Sequence, residues 1–291
     1  MKYFYRFMAF ITLSLTFPFF LSNGEKNQNF KSENILCIYI YNGPGVSPES
    51  LLQIKTALKN FAHLSYLIKE IEPSEVISGK WTKDAALFIM PGGADIPYCK
   101  SLSPQGNKVI RAYVEEGGFY LGICAGAYYG AENIVFASGT PLEVIGKRDL
   151  SFFPGRAEGP VLAPYDYKVN SGARVASVKW LNQDSDLPKN SIFPAYFNGG
   201  CYFVEAHKFP EVTSLASYVE PNGDKNKVAI LVIKVGKGRA LLSGVHFEYD
   251  PELMDKNDPY LKEIRKDLLL KEKDRAKLLR SLFKHLEIKT R

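Results

Sequence analysis

The chain has 291 residues, 46% of them apolar, and its 37 Lys and Arg against 31 Asp and Glu give a net charge of +6. That apolar share is ample for the core of one large domain, and without an interleaved basic–aromatic patch the modest charge excess gives no case for nucleic acid. Four Cys without Cys-x-x-Cys spacing and four scattered His suggest no metal site, and no cofactor is expected.

Lys2 and Arg6 precede an uncharged stretch from Phe7 to Leu21, followed by polar Ser22-Asn23-Gly24-Glu25-Lys26. This is the anatomy of a secretory signal peptide over residues 1–24, with small residues before a cut at Glu25. The expected location is therefore secreted or periplasmic. An uncleaved membrane anchor is the alternative, although a spanning helix needs about 20 apolar residues. Residues 25–34 read as a flexible polar lead-in.

Ile35–Tyr41 reads as a buried strand. Ser47 caps a helix with Pro48 at its first position, running to about Phe61. Leu64–Ile68 is a short strand. Ala85–Met90 is wholly apolar, as strands buried on both faces of a parallel sheet are. Asn107–Glu116 is a helix stopped by Gly117-Gly118, and Phe119–Ile123 a strand followed by a helix from Ala125. The alternation predicts an α/β fold, a flavodoxin-like three-layer sandwich with a mostly parallel central sheet. Its ligands belong at the carboxyl ends of the strands.

After Ala131 the texture changes. Val135–Lys147, Leu150–Phe153, Gly159–Tyr167, Ala173–Leu181 and Tyr196–Glu205 are short strand-like pieces between Gly, Pro, Asn and Asp. They predict a β-rich antiparallel insert before the chain rejoins the sheet at Val228–Lys234 and Arg239–Val245, around a hairpin turn at Lys234–Gly238. Residues 35–254 would form the domain and 255–291 a C-terminal helical extension. There Leu261, Ile264, Leu268, Leu278, Leu282 and Leu286 suit one amphipathic helix, or two broken near Lys271–Arg275. A helix docked on the sheet with a solvated basic face is one reading; contact with an anionic membrane surface is the other.

Gly122-Ile123-Cys124-Ala125-Gly126, directly after an apolar run, carries the most information. It has the form of a strand–turn–helix nucleophile elbow, where small neighbours let strand and helix approach while the reactive side chain stands at the tip. Taken alone, a buried strand cysteine fits as well. His246 and Glu248 are two apart on an extended segment, so they share one side. They suit a base for Cys124 and a group that orients that base. His207, two residues after Glu205, is the reserve base. Pro91-Gly92-Gly93 ends an apolar strand, and its glycine N–H groups could meet an oxyanion. Combined with the elbow, it becomes a hole formed by Gly93 and the N–H of Ala125. Tyr98, Tyr128, Tyr129 and the Tyr196–Cys201 loop, with Asn198 and Gly199, are candidate pocket walls beside Gly92. Cys99 and Cys201 each follow a glycine pair and are the best candidates for a disulfide, if one forms.

These motifs, in this order, resemble the class I glutamine amidotransferase-like superfamily. Within it, they look closest to the domain at the N-terminus of eukaryotic biotin-protein ligases and its stand-alone relatives. The resemblance is carried by Tyr41–Val46, Met90–Tyr98, Gly117–Gly130, Asn198–Gly200 and the His246–Glu248 segment. It implies a cysteine-dependent amide or ester hydrolase with a Cys124–His246–Glu248 triad, acting on a small-molecule amide or peptide-like ligand. Glutaminase or γ-glutamyl hydrolase action would be a specific form. A catalytically silent binding module on the same fold is the competing reading. No ammonia-accepting synthase domain and no Gly-Arg-Gly-Arg adenylate-binding loop occur in these residues, so biotin ligation by this chain alone is not expected. Position 125 is Ala, not the His that follows the nucleophile in the peptidase and chaperone branch.

Overall fold

The computed structural model describes residues 35–183, 187–219 and 227–291. The expected signal peptide and the lead-in up to residue 34 lie outside them. Among the described residues, no helix is long and apolar enough to cross a membrane.

The first half alternates as its sequence pattern predicts: β1 (Leu36–Tyr41), α1 (Pro48–Phe61), β2 (Tyr66–Ile71), α2 (Pro73–Ser78), β3 (Ala85–Met90), α3 (Asp95–Leu102), α4 (Gln105–Glu115), β4 (Phe119–Ile123) and α5 (Ala125–Gly130). The Ser47 side chain accepts from the Ser50 N–H, so α1 starts where a cap and a first-turn proline both favour it. Strands then dominate: β5 (Ala131–Phe136), β6 (Val144–Lys147), β7 (Phe153–Gly159), β8 (Arg174–Trp180), β9 (Ile192–Phe197), β10 (Tyr202–Phe203), β11 (Val212–Tyr218), β12 (Val228–Val235) and β13 (Gly238–Ser243). The chain ends in α6 (Lys262–Leu270) and α7 (Glu272–His285), divided at Lys271.

A five-stranded parallel core, β2-β1-β3-β4-β13, forms one end of the sheet. β12 joins β13 through the expected hairpin, and from it the sheet continues largely antiparallel through β10, β7, β5 and β6, with β11, β8 and β9 branching from β12. The period-two alternation of the core strands sorts their side chains onto two faces. Ile38, Ile40, Leu87, Ile89 and Leu121 meet Ile54 and Leu58 of α1 and Leu278, Leu282 and Phe283 of α7 on one face. Tyr39, Tyr41, Phe88, Met90 and Tyr120 meet Tyr98, Ile110, Tyr113 and Tyr129 on the other. The layers are thus helix, sheet, helix, and α7 is built into the core within a unit spanning Asn34–Arg291.

The insert departs from expectation: Val135–Lys147 and Tyr196–Glu205 are each interrupted by residues outside any strand, and β5 pairs with β7 in parallel. Leu150 to Phe152 is not strand, and the strand read at Gly159–Tyr167 ends where that reading begins, at Gly159. Pro160 and Pro164 have no N–H for a ladder, so the residues between them leave the sheet. Cys99 and Cys201 are both free thiols, Cys99 partly exposed on α3 and Cys201 fully buried after β9, so no bridge joins them.

Candidate active site

Cys124 stands between β4 and α5 with φ 52° and ψ −106°, a conformation that costs a non-glycine residue about 1–3 kcal/mol. Its N–H donates to the Ser243 carbonyl at 2.8 Å, tying the turn to the end of β13. The flanking glycines are required by contact. A Cβ at Gly126 would collide with the Met90 carbonyl oxygen, and one at Gly122 with that of Gly126. The side chain is nearly buried, and its Sγ lies 3.7 Å from the Asn198 carbonyl oxygen.

The Pro91–Gly93 loop runs beside this turn. The Gly92 N–H donates to Ser50 Oγ at 2.9 Å, and the Gly92 carbonyl accepts from the Ser47 N–H at 3.0 Å. Gly93 has φ +148°, and a Cβ there would strike the Gly45 carbonyl. Among the described residues, the N–H groups of Gly93 and Ala125 find no hydrogen-bond acceptor. Both residues border one cleft with Cys124.

His246 lies just past the end of β13 rather than within it. It exchanges backbone hydrogen bonds with Tyr196 of β9, at 2.8 and 3.2 Å. Its Nδ1 is 2.7 Å from Glu248 Oε1, and both side chains are buried. A carboxylate only accepts, so Nδ1 carries the proton and Nε2 is left for the cleft. The ring covers Gly92: a Cβ there would come within 2.7 Å of His246 Cε1. Burial alone would lower the His246 pKa. The Glu248 carboxylate and the Cys124 sulfur outweigh it, and the pKa is pushed up to about 10. Arg275 of α7, itself buried, donates from Nη1 to the Phe247 carbonyl at 2.9 Å. Gln53 of α1 holds Asp250 through both its N–H and its carbonyl. The segment carrying His246 and Glu248 is therefore clamped by β9, α1 and α7.

The cleft has a volume of about 160 Å³. Gly92, Gly93, Cys124, Ala125, His246, Tyr128, Asn198 and Gly199 border it, so these residues, read separately from the sequence, share one site. Glu248 lies behind His246 and is fully buried. Two expected wall residues do not face the cleft. Tyr98 is fully buried, packs on Tyr41 and Tyr129, and shares its O–H between the Pro91 and Gly92 carbonyls at 3.2 Å each, so it props the loop from beneath. Tyr129 donates to Asn107 Oδ1. Sequence reasoning missed Glu49, Tyr165, Tyr167 and Tyr249, which also line the cleft. Tyr249 had a local signal, three residues after His246; the others arrive from a helix start and a loop that no spacing rule connects to Cys124. His207, the reserve base, lies in a short turn at the surface away from the cleft.

The parallel core, the cysteine turn at its carboxyl edge and the facing His–Glu pair define an α/β protein with its candidate site at the strand ends. The chain belongs to the family described as "Biotin-protein ligase, N terminal", whose model matches residues 36–291. It is 36% identical over 256 residues to a biotin–protein ligase of Schizosaccharomyces pombe, covering 87% of this chain and 38% of the ligase. It thus spans well under half of that ligase. It is 38% identical over 222 residues to an uncharacterized protein of Chlamydia muridarum, covering 75% of this chain and 83% of that protein. Among solved structures, a thua-like protein from Bacteroides uniformis aligns at 15% identity with a TM-score of 0.46, covering 85% of this chain and 96% of its own.

Proposed function

We propose that the chain is a cysteine-dependent hydrolase of amides or esters. The observation that carries this reading is the strained Cys124 at a strand end beside the buried His246–Glu248 pair. Cys124 Sγ attacks the substrate carbonyl carbon, and the proton lost by sulfur resides on His246 Nε2. The oxyanion accepts from the N–H groups of Gly93 and Ala125, donors already in place and worth roughly 3–4 kcal/mol each in comparable sites. The tetrahedral species collapses, the carbon–nitrogen or carbon–oxygen bond breaks, and His246 protonates the leaving group. Water then gives a proton to His246, attacks the thioester, and releases the acid and the thiol. Glu248 holds the ring and offsets its positive charge. Export through the leader read in residues 1–24 belongs to the same proposal; the amino-terminal sequence of protein recovered outside the cell checks it.

The test is the rate of Cys124 alkylation by iodoacetamide against pH. A thiol beside an imidazolium reacts well below the pH at which a free cysteine does. Rapid labelling below pH 8 that His246→Ala abolishes is the expected result. Labelling like a free thiol, unchanged by that substitution, would leave a binding module and no enzyme.

A further inference from the structure

Carboxylates and aromatic rings border the cleft, but no Lys or Arg among the described residues does, in a chain with 37 Lys and Arg. Asp95 is already matched by Arg148, Nε to Oδ2 at 2.7 Å. Glu49 is not matched: its carboxylate has no ion pair or hydrogen bond among the described residues. It sits at the second position of α1, next to Ser50, which holds the Gly92 N–H. Burial raises its pKa, the His246 imidazole pulls it down, and the charges of Asp258 and Asp255 push it up again. Beside it Tyr196 and Tyr249 stack with centroids 4.3 Å apart, and the Tyr249 ring lies 4.7 Å from that of His246.

A carboxylate without a counterion beside aromatic rings is a setting that favours a cation. A substrate carboxylate would meet no Lys or Arg there, and the His246 ring is already engaged by Glu248 on one side and by the Cys124 sulfur on the other. We propose that the cleft selects carbonyl compounds bearing an ammonium group, held by Glu49 beside Tyr196 and Tyr249, and rejects those bearing a carboxylate in its place. This rests on the hydrolase reading for the fate of the carbonyl, but not for binding.

The experiment uses three matched amides: 4-aminobutanamide, its neutral isostere pentanamide, and the anionic 5-amino-5-oxopentanoate, together with longer ω-amino homologues. Two readouts are taken on the full chain: protection of Cys124 from iodoacetamide, and ammonia release. An ω-amino amide should protect at about tenfold or more lower concentration than its neutral isostere, with the anion weakest. Glu49→Gln should bring that ratio close to one, while Glu49→Asp, which keeps the charge, should retain most of it. Equal protection by all three, no protection by any, or a preference that survives Glu49→Gln overturns the proposal. The expected order of protection without ammonia release supports it and removes only the hydrolase reading.

Discussion

The two ends of the sheet differ in how they build the site. The parallel end places Cys124, Gly92 and Gly93 at neighbouring strand ends through contacts close in the chain: β3 and β4 pair in register, and Gly126 packs directly on Met90. The largely antiparallel end contributes Asn198, Tyr165 and Tyr196 from loops and strands distant in sequence. His246 joins the two, leaving a strand of the parallel end and bonding through its backbone to β9. The parallel end holds Cys124 and the glycine loop with little room for change, and the other end shapes the cleft around them.

That contrast breaks most visibly at glycines. Gly126→Ala forces a Cβ onto the Met90 carbonyl, backbone against backbone, and should cost roughly 3–5 kcal/mol. Gly139, in the turn between β5 and β6, has φ +74° and open space around it, so Gly139→Ala should cost only about 1 kcal/mol. Urea unfolding of both variants measures the difference; equal losses would mean that the elbow is no tighter than a surface turn.

Arg275 sharpens the role of the joint between the two ends. Its Nε and Nη2 donate to Glu272 at 2.7 and 2.6 Å while Nη1 holds the Phe247 carbonyl. Arg275→Met keeps the bulk but strands that carbonyl, and should cost about 2–3 kcal/mol. A positioning role for Arg275 also requires that the pH profile of Cys124 alkylation move toward that of a free thiol. Lost stability with an unchanged profile would make Arg275 structural only.

His246 gives the pH dependence. Its folded pKa of about 10 exceeds the ordinary 6.5, so the folded chain binds more protons than the unfolded chain between those values, and stability falls as pH rises. The stabilisation is fully present below about pH 6.5 and lost as pH rises through the folded pKa. The difference in unfolding free energy between the parent and His246→Gln should therefore shrink from pH 6.5 to 10. A constant difference would show that the ring is not held as a cation.

The same division decides what could be read from the sequence. Ala85–Met90, Phe119–Ile123 and Pro48–Phe61 match their observed bounds, because an apolar run, a cap and a first-turn proline are local signals. The His246–Glu248 pairing was legible because Glu248 reaches His246 within one short segment. α3 was missed because Pro97 reads as loop, although its place in the first turn is tolerated. β11 was missed despite its alternating pattern, and Tyr165 and Tyr167 because loop residues carry no period. Tyr98 was misplaced because a tyrosine next to a glycine loop looks the same from sequence whether it faces a cleft or supports the loop from below.

The smallest effect tests whether chemistry and recognition separate at all. Tyr128 belongs to α5, yet its O–H donates to the Gly199 carbonyl at 3.1 Å, across to the loop that also presents the Asn198 carbonyl to Cys124. Burial raises its pKa well above the usual tyrosine value, so it remains a donor. Tyr128→Phe keeps the ring and removes one buried hydrogen bond, for about 1 kcal/mol. If the two ends divide the work, ligand protection of Cys124 should weaken by more than the alkylation rate of the unliganded protein changes, since the elbow keeps its bonds to Ser243 and Met90 stays packed on Gly126. Equal loss in both measurements would mean that this loop sets the geometry of the sulfur itself, and that the antiparallel end is part of the reacting centre.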